Sequence, residues 1–281
     1  MLFKENIYRD RVTTTNLSHS WWLAGRKFIS CYSLYVPALL LSDIHGNIVA
    51  LEAVLNHAAK HGYDRVLFLG DAVGYYPDGN AVIEKLRSLN AEGVLGNHDA
   101  WLLTLDVLDG EGYVFDILRW QAKRLRPDNR DWLAALPWSV GEGGWLAIHG
   151  SPCDPFTYVD ELDVAREAFG CTDARWIFHG HTHMAGAYTA LDGPSGPWVR
   201  HKPFTEPRNP LKIGPKARVL INPGSVGQPR DGVPLAGYAI WHEEKDELTA
   251  FRVEYDIEAV EERVRKAGFP PPLYQRLYQG R

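Results

Sequence analysis

The sequence predicts an α/β fold, and three observations carry that prediction. Short continuous apolar runs alternate with stretches of helical periodicity. Several of those runs end in Asp, Asn or His. The chain has 281 residues, 45% hydrophobic and 23% charged, enough to bury a core without staples.

Residues 38–43 (ALLLSD) are an unbroken apolar run with polar residues at its end, the pattern of a strand buried on both faces. NIVALEAVLNHAAKHG follows with apolar residues at helical spacing and Gly62 as its stop. DRVLFLGD is a second strand and GNAVIEKLRSLN a second helix. AEGVLGNHD is a third strand, with helical sequence from Ala100 to about Leu125. GWLAIHG, RWIFHGHTH, RVLINPGSVG, LAGYAIW and ELTAFRVEY are further strands, and DIEAVEERVRKAG is a C-terminal helix. The Pro- and Gly-rich GPSGPWVRHKPFTEPRNPLKIGP is expected to be a surface insertion. Residues 1–35 are expected to form a poorly ordered N-terminal extension, with a start at Val36 as one explanation, and residues 36–281 a single domain.

Composition narrows the partners. The formal net charge of −5 gives no global basic field, so nucleic acid is not an expected partner. No apolar run approaches the roughly 18 residues of a spanning helix, so no membrane partner is expected. Three cysteines, Cys31, Cys153 and Cys171, are odd in number and irregular in spacing. They do not read as a disulfide framework, and a reducing, cytoplasmic setting is the simplest expectation.

Chemistry concentrates at the carboxyl ends of the apolar runs, where open α/β sheets bind ligands. SDIHGN places Asp43 and His45 two residues apart, on the same side of an extended segment. FLGD ends in Asp71, a carboxylate able to bridge two cations. VLGNHDA presents Asn97, His98 and Asp99 in a row, and LAIHG presents His149. FHGHTH packs His179, His181 and His183 into five residues, too many imidazoles to satisfy as structural side chains. Taken singly, a strand-end Asp reads as a cap and a lone His as a structural residue. Taken together, about seven Asp, Asn and His donors with no thiolate suit two cations of the Mn, Fe, Zn, Ni or Mg kind. Two-metal sites clamp the attacking and leaving oxygens of phosphoryl displacement.

In the order DIHGN, GDAVG, GNHD, HG and GHTH, the sequence resembles the calcineurin-like metallophosphoesterases, over roughly residues 38–254. It is most similar to the small bacterial and archaeal phosphodiesterase and diadenosine-tetraphosphatase-like branch, which INPGSVGQPRDG also resembles. The resemblance implies a four-layer αββα sandwich with two metals at its edge. It implies Asp43, His45 and His183 on one ion, Asn97, His149 and His181 on the other, and Asp71 bridging. His98 would be the general acid facing the leaving oxygen, oriented by Asp99, with a metal-bridging hydroxide as nucleophile. The protein Ser/Thr phosphatases of the superfamily carry an arginine soon after GD; here AVGY follows Asp71, and Arg230 is the candidate substitute clamp, against a solvated loop arginine.

The expected activity is hydrolysis of a small phosphate mono- or diester. A non-catalytic scaffold and a nuclease are the alternatives. A scaffold would have lost ligands or the GNHD histidine, and a nuclease would want a basic surface. Tyr75, Tyr76, Phe156 and Tyr158 have side chains suited to stacking on a base, but packing along the rim is the expected role.

Overall fold

The computed structural model describes residues 37–105, 110–191 and 198–281. The expectations for residues 1–35 and for a start at Val36 lie outside the described residues. In chain order come β1 (Ala38–Leu41), α1 (Ile48–Ala58), β2 (Arg65–Phe68), α2 (Gly79–Ser88), β3 (Glu92–Gly93) and α3 (Asn97–Leu103). Then follow α4 (Tyr113–Ala122), α5 (Pro127–Ala134), β4 (Ser139–Glu142), β5 (Trp145–Ile148), α6 (Leu162–Gly170) and β6 (Trp176–Phe178). The rest is β7 (Gly186–Leu191), β8 (Trp198–Pro203), β9 (Arg208–Lys212), β10 (Ala217–Asn222), β11 (Ala236–His242), β12 (Glu247–Val253), α7 (Ile257–Lys266) and α8 (Pro272–Gln275).

The strands form two six-stranded mixed sheets, in the orders β3-β2-β1-β11-β12-β9 and β4-β5-β6-β10-β7-β8. β1, β2 and β3 are parallel, as are β5, β6 and β10. Alternation along β1 explains its continuous apolar run. Ala38 and Leu40 meet the second sheet through Trp145, Phe178 and Val219, while Leu39 and Leu41 meet helical residues such as Leu51, Val54 and Ile83. On the far side, Ala165, Ala168 and Phe169 of α6 cover Ile177 and Leu220 of the second sheet. Helix, sheet, sheet and helix are therefore stacked in four layers, as expected.

Local chemistry explains the boundaries. Asn47 caps α1 by accepting a hydrogen bond from the Ala50 amide at 3.1 Å, and Asp256 caps α7 through Ala259 at 2.9 Å. The expected third strand is cut to two residues, because Asn97 already opens α3. The expected helix from Ala100 divides into α3 and α4, with residues 106–109 outside the described residues.

Two expectations are corrected. The Pro/Gly-rich segment supplies β8 and β9, one edge strand of each sheet, rather than a surface insertion. Pro210 sits in β9 opposite Thr249, and an edge strand tolerates a missing N–H. The cysteine expectation also fails, because Cys153 and Cys171 form a disulfide across 18 residues, with Cα atoms 5.4 Å apart. An odd cysteine count hides a pair that α6 brings together, and it no longer argues for a reducing compartment. Reducing this bond is expected to cost about 3 kcal/mol of stability by loop entropy. Thermal melts with and without a dithiol check it, and an unchanged midpoint would contradict it.

Among the described residues, no helix is long and apolar enough to cross a membrane.

Candidate metal centre

The carboxyl ends of β1, β2, β3, β5 and β6 converge on one edge, and each is followed by a site residue. Asp43, His45, Asp71, Asn97, His98, His149, His181 and His183 are all buried there. Donor atoms of Asp43, His45 and His183 lie within 4.8 Å of one another, as do those of His45, Asp71 and His98, and of Asp43, Asp71 and His149. Asp71 Oδ2 stands at the centre, 3.5 Å from His45 Nε2 and 3.4 Å from His149 Nε2. Asp43 Oδ1 is 3.4 Å from His183 Nε2. Asn97 Oδ1 is 3.0 Å from His149 Nε2, and the His181 ring lies 4.8 Å from the His149 ring.

The backbone aims these side chains. Asp43, His45, Asp71, His181 and His183 have φ between 52° and 67°, the left-handed region that non-glycine residues rarely enter. Such conformations cost about 1–3 kcal/mol each and persist where the surroundings impose them, typically at functional sites. Two glycines make room. A Cβ on Gly96 would lie 2.1 Å from Asp71 Oδ1, and one on Gly74 (φ 134°) would lie 2.6 Å from His45 Nδ1 and 2.7 Å from His98 Nδ1.

Backbone carbonyls assign the imidazole tautomers. His45 Nδ1 donates to Val73 O at 3.0 Å, His183 Nδ1 to Gln228 O at 2.6 Å and His149 Nδ1 to Leu69 O at 2.8 Å. A carbonyl only accepts, so each of these nitrogens carries the hydrogen; in His45 and His183, which burial keeps neutral, that leaves Nε2 with a bare lone pair. His181 is the reverse: Nε2 donates to Phe156 O at 3.1 Å, so Nδ1 is bare. The bare Nε2 atoms of His45 and His183 face each other at 3.0 Å. Two lone pairs so placed repel unless a cation stands at that point. Imidazoles oriented by a second acceptor while their free nitrogen converges with carboxylates are the arrangement of metal ligands.

The charges are perturbed accordingly. Burial drives His45 and His183 well below the ordinary histidine value, with Arg230 adding to the effect. Burial with His149 nearby takes His181 down to about 3. Burial pushes Asp43 up to about 6, with Asp71 adding and His149 opposing. Asp71 falls well below the carboxylate range, because His149, His98 and His45 outweigh its burial. His149 rises to about 9, since Asp71 and Asp43 overcome its burial.

His98 lies in this cluster but differs from the others. Its ring stands 4.7 Å from His45 and 5.2 Å from Trp101, and its buried Nδ1 has no hydrogen-bond partner among the described residues. Burial, with Arg230 and His149 adding to it and Asp71 opposing, takes it to about 4. The expectation that Asp99 orients His98 is corrected. Asp99 Oδ2 accepts from the amides of Asp71 at 2.8 Å and Gly96 at 3.1 Å, and Oδ1 accepts from Val73 at 3.1 Å. Both oxygens are thus spent on backbone, and Asp99 pins the Asp71 loop to the start of α3. His98 is placed instead through its own amide, which donates to Asp71 Oδ1 at 2.9 Å.

The remaining candidates fall around the cluster. His179 turns away and lines a small cavity with Tyr188, His201 and Asn222. Arg230 faces the cluster, donating to Gln228 Oε1 and to Tyr75 OH. Tyr158 stacks on the His181 ring at 4.0 Å, Tyr75 packs edge-on to His45 at 4.6 Å, and Tyr76 is fully buried, so these rings pack as expected. Sequence reasoning missed Phe156 O as the acceptor that orients His181, because the donor and acceptor are 25 residues apart.

Residues 38–246 match the family model for the calcineurin-like phosphoesterase superfamily domain. An uncharacterized protein of Methanocaldococcus jannaschii is 34% identical over 251 residues, which cover 86% of this chain and 97% of that protein. The chain is similar to a crystal structure of a metallophosphoesterase from Sphaerobacter thermophilus, with 35% identity and a TM-score of 0.76 over 87% of this chain and 99% of that one. A hypothetical protein of Pyrococcus horikoshii OT3 shares the fold, with 19% identity and a TM-score of 0.70 over 87% of this chain and 98% of its own. With the family model matched over residues 38–246 and a relative about one-third identical over nearly all its length, this chain belongs to the calcineurin-like phosphoesterase superfamily.

Proposed function

We propose that this protein is a divalent-metal-dependent phosphoesterase hydrolysing a phosphate mono- or diester of a small molecule at a two-metal site. Asp43, His45 and His183 would hold one cation, Asn97, His149 and His181 the second, and Asp71 would serve both. The observation that carries this reading is the pair of bare Nε2 lone pairs of His45 and His183 at 3.0 Å. The donor set of oxygens and imidazoles without thiolate fits Mn, Fe, Zn, Ni or Mg. Bound there, such ions would supply Lewis acidity and lower the pKa of bound water to about 7.

The chain's own residues do the rest. The carbonyls of Val73, Leu69, Gln228 and Phe156 hold four imidazoles in one tautomer each. Arg230 brings a charge whose donors meet neutral acceptors among the described residues, Gln228 Oε1 and Tyr75 OH, leaving the charge to a phosphate oxygen. His98 stands free of structural hydrogen bonds to its ring and is the candidate acid at the leaving oxygen. The ring is neutral on its own, and the negative charge of a bound phosphate raises its proton affinity, so that it takes up a proton from solvent with the substrate and passes it to the leaving oxygen.

The decisive assay is a panel of aryl phosphate mono- and diesters and dinucleoside polyphosphates, run with Mn²⁺ against a chelator. Turnover of at least one class, lost with the chelator and restored by metal, is expected. Turnover that survives the chelator would overturn the metal dependence. No turnover with any tested metal would favour a scaffold.

A further inference from the structure

We infer that Gln228, held in turn by Tyr76 and the C-terminal segment, is the positioning residue that aims Arg230 at the phosphate of the substrate. This rests on the proposed function above, since it concerns how that phosphate is held.

The argument begins with hydrogen atoms. Tyr76 OH donates to Leu273 O at 3.1 Å. A hydroxyl has one hydrogen, and a carbonyl has none to give back. Tyr76 OH is therefore only an acceptor toward Gln228, whose Nε2 donates to it at 3.2 Å. That settles the amide: Nε2 points at Tyr76 and Oε1 points the other way. Oε1 accepts from Arg230 Nε at 3.1 Å and from Nη2 at 2.8 Å. Arg230 Nη2 also donates to Tyr75 OH at 3.0 Å. One directed chain thus runs from the guanidinium through Gln228 and Tyr76 to the backbone of α8.

Everything around the chain is fixed. Gln228 is fully buried, and its amide N–H donates to Ser225 Oγ at 2.7 Å. On the other side of Arg230, Asp231 accepts from the Ala185 amide at 3.0 Å and pairs with Arg252. The backbone has little freedom left, so the direction of the Arg230 side chain depends on Gln228. Leu273 lies in an apolar cluster with Tyr75, Tyr76, Val260, Val264 and Leu277. The Gly232 amide donates to Gly280 O at 2.9 Å, a second tie to the same segment. Leu273 and Gly280 lie beyond residue 246, where the family match ends. The segment after the matched domain therefore braces the substrate clamp.

A neutral acceptor is the chemistry this role needs. A carboxylate at position 228 would also orient Arg230, but it would neutralise the charge meant for phosphate. Gln228 holds the guanidinium without occupying its charge.

The test uses the full-length, metal-loaded protein with inorganic phosphate as the probe. Its Kd is measured by calorimetry, beside KM and kcat on the best ester, metal content and melting temperature. Gln228→Glu is expected to weaken phosphate by about tenfold or more and to raise KM by more than it lowers kcat, with metal content close to wild type and a loss of phosphate affinity larger than any fall in melting temperature accounts for. Tyr76→Phe removes the reason for the amide's orientation and is expected to weaken phosphate by about fivefold. Arg230→Ala is the reference and should weaken it most. If Gln228→Glu and Tyr76→Phe bind phosphate like wild type while Arg230→Ala does not, the inference fails and the proposed function stands. Losses that track metal content or melting temperature mark a merely structural role and also overturn it. If wild type binds no phosphate and hydrolyses no ester, the proposed function fails, and the inference with it.

Discussion

Replacing His98 with alanine is expected to lower turnover by about 10²–10⁴-fold, the range a positioned general acid supplies. Bound metal should stay close to wild type. The reasoning is geometric. His45, His149, His181 and His183 each spend one ring nitrogen on a backbone carbonyl and turn the other to the cluster. The His98 ring makes no such bond, and its Nδ1 is buried without a partner among the described residues. A ligand held by nothing would be poorly aimed, whereas an acid that must meet a leaving oxygen is free to do so. Removing the ring leaves the His98 amide on Asp71 Oδ1 intact, so the shared carboxylate keeps its place. Metal content by elemental analysis and kcat on the best ester decide the matter. Loss of metal along with activity would make His98 a ligand, consistent with its nearness to His45 and Asp71.

Asp71→Asn is expected to abolish measurable turnover and to reduce bound metal sharply. Asp71 Oδ2 is paired with both His45 and His149, at 3.5 and 3.4 Å. An amide offers a single neutral oxygen and cannot bridge two cations. The effect should also appear without any assay of activity. A ligand that binds only the folded state stabilises it by about 2.7 kcal/mol at a hundred times its Kd. Wild type should therefore melt at a higher temperature when Mn²⁺ is added, and the variant should gain much less. An equal gain in both proteins would remove Asp71 from the bridging position.

Much of the site was legible in the sequence. Strand-end Asp, Asn and His residues are readable because an apolar run fixes where a buried strand stops, and parallel strands then bring those ends together. Five of the expected ligands sit in the left-handed backbone region, which a one-letter sequence does not display. The role of Asp99 was misread because adjacency in NHD suggests a partner, while in α3 neighbouring side chains point in different directions. The carboxylate turns back to three amides, two of them in the segment after β2. The Cys153–Cys171 bond and the edge strands β8 and β9 escaped for a common reason: each depends on contacts across the sheets rather than on local pattern.

By itself, the sequence determined the α/β class, the family, and the set of residues that converge on one sheet edge. The class and the residue set follow from periodicity and residue chemistry, which are local properties, and the family from the resemblance of its ordered motifs. Tertiary structure alone decided which nitrogen of each histidine is free and that Asp99 holds backbone rather than His98. It also decided that Arg230 is aimed by a buried amide braced from the C-terminal segment. Those outcomes depend on a carbonyl or a hydroxyl supplied from distant residues: 28 for His45, 45 for His183 and 152 for Gln228. A hydrogen bond fixes a proton only when both of its atoms are in place.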